Sequence, residues 1–272
     1  MWLNSVYDGN FVVMSWSERI LRFTRQLNTP LKLPDYLEFF VDGSQCGMIH
    51  KDYLPPFSSS PDIFQCTTTG VTLLEKFENR EDRSRVVNDF FARLRDEGVF
   101  SHTLKGWRDE TYSVFRDGFK SDVLFDIERA AVPILGCKSY GVHLNGFVRM
   151  SDGSMKMWLG KRSPTKAKYP GCHDNVVAGG ISSGYGVWDT LVKEADEEAG
   201  MGLEYLSGVA VPAGCISYTV VNQYGTSPEV EFVYDVELPQ DFVPHNKDGE
   251  VAGEIGVVII QVMSQFPRIH KN

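Results

Sequence analysis

The chain has 272 residues, of which 42% are hydrophobic and 23% charged, as in an ordinary globular protein rather than a disordered or collagen-like one. Lys and Arg number 27 against 36 Asp and Glu, and the net charge of −9 argues against general binding of DNA or RNA. The sequence has no apolar run of about 18 residues and no CxxC pair among its five cysteines, so we expect a soluble protein of the cytosol with no membrane partner.

The first half of the chain predicts an α+β domain. Its elements are recognised from apolar spacing and from turn residues. In chain order they are a helix over 15–27, two strands within 37–49 about a turn at Asp42-Gly43, a Pro- and Ser-rich loop over 54–64, a helix over 81–96 and a strand over 106–115. None of them has the spacing of catalytic residues.

The second half predicts a sheet with one prominent helix. Residues 139–163 indicate consecutive strands joined by a turn at 151–153, and a helix follows from about 187 to 199. Further strands come after Gly200. We place the domain boundary so that one domain spans 1–130 and the other 131–272.

Three acidic residues near the end of this helix predict a metal site. Glu194, Glu197 and Glu198 lie at i, i+3 and i+4, within about 100° of the helix circumference. Like charges at this spacing repel each other, and the helix dipole adds to the cost near the C-terminus. A hard divalent cation such as Mg²⁺ or Mn²⁺ would offset that cost, because it prefers oxygen ligands. A solvated acidic face is the alternative.

The sequence around these acids resembles the Nudix box. Residues 193–201, KEADEEAGM, are similar to the family pattern R-E-U-x-E-E-x-G-U, where U is a bulky aliphatic residue. Lys193 replaces the arginine, and Tyr185 stands where the family has a glutamate. Gly179-Gly180 and Gly200 frame the segment, as expected for a loop that approaches a ligand and for a left-handed C-cap.

The resemblance extends over most of residues 15–251 to fungal and plant Nudix proteins that carry an extra N-terminal domain and are linked to thiamine metabolism. The segments that carry it include FFVDGSQCG, GWRDETYSV, SYGVHLNGFV, MWLGKRSPTKAKYPGCHDNVVAGG and VELPQDFVPHNKDGEV, whereas residues 253–272 depart from the pattern. It implies an α+β domain followed by an α/β/α Nudix fold, in which helices enclose a mixed sheet. The implied activity is hydrolysis of a small-molecule diphosphate, either nucleoside-diphosphate-like or thiamine-diphosphate-like, including oxidised thiamine diphosphate, to monophosphate and phosphate.

The resemblance also implies roles for individual residues. The expected metal ligands are Glu194, Glu197, Glu198 and the carbonyl of Gly180, the expected catalytic residues are Glu197, Glu198 and Glu250, and the expected substrate-binding residues are Lys161, Arg162, Lys166 and Tyr185. Glu250 is equally well read as part of an Asp-Gly turn. Asn145 and Asn175 are weaker candidates for orienting substrate, and His143 on an apolar strand predicts a core histidine.

A catalytically idle binding or regulatory module on the same scaffold is the competing hypothesis. The changes at Tyr185 and Lys193 favour it. The three helix carboxylates favour the enzyme, because a protein that only binds has no reason to tolerate their mutual repulsion.

Overall fold

The computed structural model describes residues 32–164 and 170–247, together with residues 18, 21 and 22. Lys166 and Glu250 therefore lie outside the described residues, and so does almost all of the helix predicted over 15–27. The chain divides into two units. The first contains the described residues up to Lys138 together with 217–229, and the second contains 139–216 and the described residues from Val230 onward.

The strands, in chain order, are β1 (Tyr36–Val41), β2 (Ser44–His50), β3 (Phe64–Cys66), β4 (Gly70–Leu73), β5 (Thr111–Phe115), β6 (Val123–Glu128), β7 (Ser139–Arg149), β8 (Met155–Met157), β9 (Leu159–Lys161), β10 (His173–Asn175), β11 (Val177–Gly180), β12 (Val211–Asn222) and β13 (Gly225–Glu237). The helices are α1 (Leu54–Ser58), α2 (Arg80–Asp96), α3 (Ser101–Leu104), α4 (Val132–Leu135), α5 (Val187–Ala199) and α6 (Leu203–Leu206). No helix within the described ranges is long and apolar enough to cross a membrane.

The first unit begins with the predicted hairpin. Strands β1 and β2 pair antiparallel around Asp42 and Gly43, whose φ angles are +50° and +70°. Two successive positive φ values give the turn the twist that a two-residue hairpin needs. Strand β4 pairs parallel with β1, and the sheet has the order β2-β1-β4-β3, while β5 and β6 form a separate antiparallel pair.

Helix α2 confirms the prediction over 81–96 and supplies much of the first core. The side chain of Asn79 caps it by accepting a hydrogen bond of 2.8 Å from the backbone N–H of Asp82. Its apolar residues at helical spacing are buried. Phe90 packs against Phe57 and Phe64, with ring centroids 5.2 and 4.9 Å apart, so an aromatic cluster joins the helix to α1 and β3.

Two predicted elements of the first unit differ from the structure. The loop expected over 54–64 contains α1, because Pro55 occupies a first helical turn where no N–H is required and Phe57 becomes fully buried. The strand expected to span 106–115 begins only at Thr111. Asp109 before it has a φ of +57°, which is incompatible with extended backbone, and accepts a hydrogen bond from the Trp107 ring.

The second unit contains the sheet predicted from residue 139 onward, with a turn at 151–153. Its strand order is β11-β7-β13-β12, with β8 paired to β7, and β9 pairs separately with β10. Along β7, Val142, Leu144, Gly146 and Val148 are buried while the intervening residues are half-buried, so one face of the sheet is packed and the other is more open. Strand β12 ends the sheet within the described ranges and exposes Val211, Ile216 and Val221.

Helix α5 has the bounds that the sequence predicts. It packs against β7 and β11 through Leu191 and Ala195, which are fully buried. Gly200 ends it in the left-handed region, with a φ of +70°. An α+β unit followed by an α/β unit of this kind confirms the predicted fold class.

Candidate active site

The acidic helix α5 forms the centre of the candidate site. Its first turn is fixed by Asp189, whose carboxylate accepts a hydrogen bond from the backbone N–H of Gly186 at 3.2 Å. The helix then presents Glu194, Glu197 and Glu198 in its last two turns. All three are partly buried, which is a costly environment for neighbouring carboxylates unless cations or N–H groups compensate them.

Lys193 provides a cation for two of these acids. Its Nζ lies 3.0 Å from Glu194 Oε1 and 2.8 Å from Glu197 Oε2. Partial burial alone would lower the pKa of Lys193, but hydrogen bonds to Glu197 and Glu194 outweigh it and raise that pKa well above its ordinary value. The ammonium group is therefore charged at any physiological pH, and it marks a point where the two carboxylates converge on one cation.

Glu198 points elsewhere. Its Oε2 accepts a hydrogen bond of 2.9 Å from the backbone N–H of Ala178 on β11. Within residues 32–164 and 170–247, no group of three or more His, Cys, Asp or Glu side chains is arranged to hold a metal ion together. The donor set thus fits a cation at Glu194 and Glu197, whereas one carboxylate oxygen of Glu198 is held by the N–H of Ala178 on β11.

Glycines allow the helix to approach β11 closely. A Cβ at Gly179 would lie 2.3 Å from Cγ and 2.7 Å from Oε2 of Glu194, so only glycine leaves room for that carboxylate. Gly180, the predicted carbonyl ligand, ends β11 and pairs with Gly141 on β7. The end of β11 therefore pairs with β7 through two residues without side chains.

The described substrate-binding candidates do not gather around the acids. Arg162 forms an ion pair with Asp174, with 2.9 Å between Nη1 and Oδ2. Lys161 is exposed on β9, where it pairs with His173. The side chain of Tyr185 is 50% exposed in the loop before α5. The described ion pairs of Glu194 and Glu197 are with Lys193 and not with these residues.

Sequence reasoning missed two acids on the open face of the second sheet. Glu231 and Asp235 on β13 lie beside β7, where Glu231 Oε2 is 3.9 Å from His143 Nε2 and Asp235 accepts a hydrogen bond from Asn145. Glu231 is buried, with 8% exposure, and a Cβ at Gly141 would lie 2.1 Å from its Oε2. The even spacing of 231 and 235 in EVEFVYDVEL was the available signal, because alternate residues of a strand share a face.

Comparison with known proteins relates the chain to two plant enzymes. It is 39% identical over 242 residues to "Nudix hydrolase 20, chloroplastic" of Arabidopsis thaliana, covering 86% of this chain and 63% of that protein. It is 39% identical over 236 residues to "Nudix hydrolase 24, chloroplastic" of the same plant, covering 86% and 62%. The chain therefore spans less than two thirds of the length of these curated relatives.

Two further comparisons concern a family and a fold. A family model described as a domain of unknown function, DUF4743, matches residues 19–139. The solved structure of DR0079 from Deinococcus radiodurans is 22% identical, with a TM-score of 0.37, and the match covers 53% of this chain and 80% of that one.

The names of the two plant relatives overturn one prediction. Both proteins are named chloroplastic, so the cytosolic location expected from the composition is wrong. The lack of a long apolar run and of a CxxC pair, on which it rested, does not distinguish one reducing compartment from another.

Proposed function

We propose that this chain, a relative of the Nudix hydrolases, is a metal-dependent diphosphatase that hydrolyses a small-molecule diphosphate to a monophosphate and phosphate. The observation that carries the proposal is the convergence of Glu194 and Glu197 on the Lys193 ammonium at 3.0 and 2.8 Å. Two carboxylates that already share one cation form the start of a site for Mg²⁺ or Mn²⁺.

The proposed ligands are Glu194 and Glu197, joined by Glu198 and the carbonyl of Gly180. When bound, the metal neutralises diphosphate oxygens and lowers the pKa of a coordinated water. The protein contributes position: Gly179 leaves room for Glu194, and the N–H of Ala178 orients Glu198. Phosphoryl transfer depends mainly on such positioning and on charge stabilisation.

Other residues enter the proposal through the resemblance. Glu250 is the proposed general base or additional ligand, and Lys161, Arg162 and Lys166 the proposed contacts to phosphate oxygens. For Arg162 this requires release from its ion pair with Asp174. Tyr185 is sufficiently exposed to stack on a ring of the substrate.

The substrate we propose is thiamine diphosphate or a similar compound, including its oxidised forms, and a nucleoside-diphosphate-like compound is the alternative. This choice rests on the resemblance of most of residues 15–251 to the thiamine-linked Nudix proteins. The same resemblance supports a Nudix domain over 131–272 preceded by an N-terminal domain over 1–130.

The test is phosphate release from a panel of diphosphates with and without Mg²⁺. The panel contains thiamine diphosphate, its oxidised analogues, ADP-ribose and NADH. We expect metal-dependent turnover that Glu197→Gln abolishes and Glu204→Gln, a change of the same charge on exposed α6, leaves intact. Metal-dependent turnover of another compound would discard the thiamine substrate, and absence of any turnover by folded protein would refute the enzyme.

The idle binding module remains the second candidate, and one observation favours it. Lys193 already satisfies the two carboxylates that would bind the metal, so the helix needs no added cation to offset their repulsion. In a binding module, Glu197→Gln would leave ligand affinity unchanged, and Mg²⁺ would have no effect on it.

A further inference from the structure

Two of the five cysteines meet in the core of the first unit. Cys46 belongs to β2 and Cys137 follows α4, so the two are far apart in sequence. Cys137 is fully buried, and the half-buried side chain of Cys46 packs against the same hydrophobic core. Both cysteines belong to the first unit, and neither is among the residues of the candidate active site.

Two glycines bring the end of α4 against β2. A Cβ on Gly47 would overlap the carbonyl oxygen of Leu135, and a Cβ on Gly136 would overlap the carbonyl oxygen of Met48. Gly136 also has a φ of +61°, a conformation that favours glycine. The two backbones are therefore in contact at the residues that adjoin the two cysteines.

A β-bulge determines where the Cys46 side chain lies. The register of β2 with β1 shifts by one residue at Cys46, which has no residue opposite it on β1. A bulge bends the strand and can redirect a side chain. Cys46 Sγ lies 3.7 Å from the carbonyl oxygen of Phe39, and a Cβ on Gly47, which pairs with Phe39, would lie 3.1 Å from Cys137 Sγ. Both sulfurs are thus placed at the same short stretch of β2.

The two thiols differ in accessibility. Burial raises the pKa of the Cys137 thiol well above its ordinary value, and a hydrogen bond with the Cys46 thiol raises it further. A buried, protonated thiol is inert toward reagents in solvent, whereas the half-buried Cys46 can be reached by them. A reaction of the pair therefore begins at Cys46.

We propose that Cys46 and Cys137 form a reversible disulfide by exchange with a low-molecular-weight disulfide such as oxidised glutathione. Cys46 loses its proton and attacks one sulfur of that disulfide, whose S–S bond breaks, and one glutathione leaves as a thiolate that takes up a proton. Cys137 then loses its proton and attacks the Cys46 sulfur, which releases the second glutathione in the same way. Two protein thiols are oxidised to one disulfide, and one external disulfide is reduced to two thiols. The adjacency of the sulfurs favours the second step.

The disulfide would have a measurable effect on the first unit. It would join β2 to the segment after α4, two segments separated by most of the first half of the chain. A cross-link over a long stretch of chain stabilises a fold mainly because it restricts the unfolded state. The oxidised protein should therefore resist denaturant better than the reduced protein, whether or not the chain hydrolyses a diphosphate.

The test treats the full chain with oxidised glutathione. Remaining thiols are blocked with iodoacetamide, and after tryptic digestion mass spectrometry searches for peptide 33–51, which contains Cys46, joined to peptide 130–138, which contains Cys137. Each of these peptides contains one cysteine. We expect the linked pair in the oxidised sample and a urea midpoint about 1 M higher than that of the reduced protein. Dithiothreitol should reverse both changes.

Variants show whether the rise in the urea midpoint comes from this pair. Cys46→Ser and Cys137→Ala should each abolish it, whereas Cys66→Ser, at a half-buried cysteine packed against the same core, should retain it. Cys46→Ser decides if Cys137→Ala does not fold. Absence of the linked peptides from folded, oxidised protein overturns the proposal, and so does a rise that survives Cys46→Ser. Neither result depends on phosphate release, so the proposed function stands or falls separately.

Discussion

Lys193 stands in the place where the candidate site would bind its metal. Its ammonium lies within 3.0 Å of both Glu194 and Glu197, so an incoming cation must compete with a charge fixed to the same helix. This competition gives the residue a measurable role that differs from that of a surface lysine.

We predict that Lys193→Met binds Mn²⁺ about three- to tenfold more tightly than the original protein. The reason is that the substitution removes two ion pairs of the strength usual for partly exposed groups. Paramagnetic titration of free Mn²⁺ measures the affinity.

The matched control for this experiment is Lys247→Met. Lys247 is paired with Asp196 of the same helix at 2.6 Å, so its loss changes the net charge equally. If both substitutions tighten Mn²⁺ binding to the same extent, the effect is one of overall charge and the local competition is refuted.

Gly179→Ala tests the close approach of β11 to the acids. The added Cβ would lie 2.3 Å from Cγ of Glu194, which must then move. A displacement of this order can lower turnover about 100-fold in a site that works by positioning. Phosphate release and Mn²⁺ affinity should both fall. Gly118→Ala, where a Cβ meets nothing within 4 Å, should change neither, and an unaltered Gly179→Ala enzyme would contradict the assignment.

At the scale of single residues, the sequence predicted positions better than contacts. The spacing of Glu194, Glu197 and Glu198 places them together on a helix, and the structure has that helix. The spacing does not indicate that Lys193 forms ion pairs with two of these acids, or that Glu198 accepts a hydrogen bond from the N–H of Ala178. The second contact depends on the position of strand β11, which the spacing of helix residues cannot predict.

Among elements, helix α2 has the most clearly defined beginning. The side-chain oxygen of Asn79 satisfies the N–H of Asp82, which would otherwise have no partner in the helix.

We predict that Asn79→Ala lowers the free energy of unfolding by about 1 kcal/mol, the usual value of a cap. Urea denaturation followed by circular dichroism measures it. Asn79→Asp retains the capping oxygen and should cost less, so equal losses for the two variants would show that capping is not the cause.

The elements that the sequence predicts best are those with long amphipathic repeats. Both long helices were predicted to within one residue of their starts, since their apolar spacing is sustained over several turns. Short helix α1 was missed because two of its five residues are prolines, and only the burial of Phe57 in the folded core reveals why it forms.

For the whole molecule, acid stability depends on pairs such as that of Asp42. A hydrogen bond from Arg116, with the positive charge of Arg83, lowers the pKa of the Asp42 carboxyl below its ordinary 3.8. A lowered pKa in the folded state stabilises the fold at pH values above the unfolded pKa, and this contribution disappears as the pH falls through the folded pKa.

We therefore predict that Asp42→Asn is less stable than the original chain at pH 6 and that the difference shrinks as the pH falls below 3.8 and through the lowered pKa of the folded state. Urea midpoints measured across this range provide the test. A gap that persists into acid would assign the effect of Asp42→Asn to turn geometry instead.

The division into units also limits what sequence order alone can predict. Residues 217–229 belong to the first unit, where the ring of His102 stacks on Tyr224 with centroids 4.9 Å apart and Thr103 donates to the Tyr224 carbonyl. Strands β12 and β13, which contain these residues, have the composition of ordinary strands. That composition does not indicate to which unit each part of them belongs.

The exposed strand β12 has a practical consequence. It ends the sheet of the described ranges, and its Val211, Ile216 and Val221 are 58, 49 and 50% exposed. No strand of the described residues lies beyond β12, and an apolar outer strand of this kind can pair with a strand of a second molecule. Concentrated solutions of this chain should therefore form oligomers and aggregates through that edge, and a lysine at Val211 is the simplest way to keep it monodisperse for crystallisation.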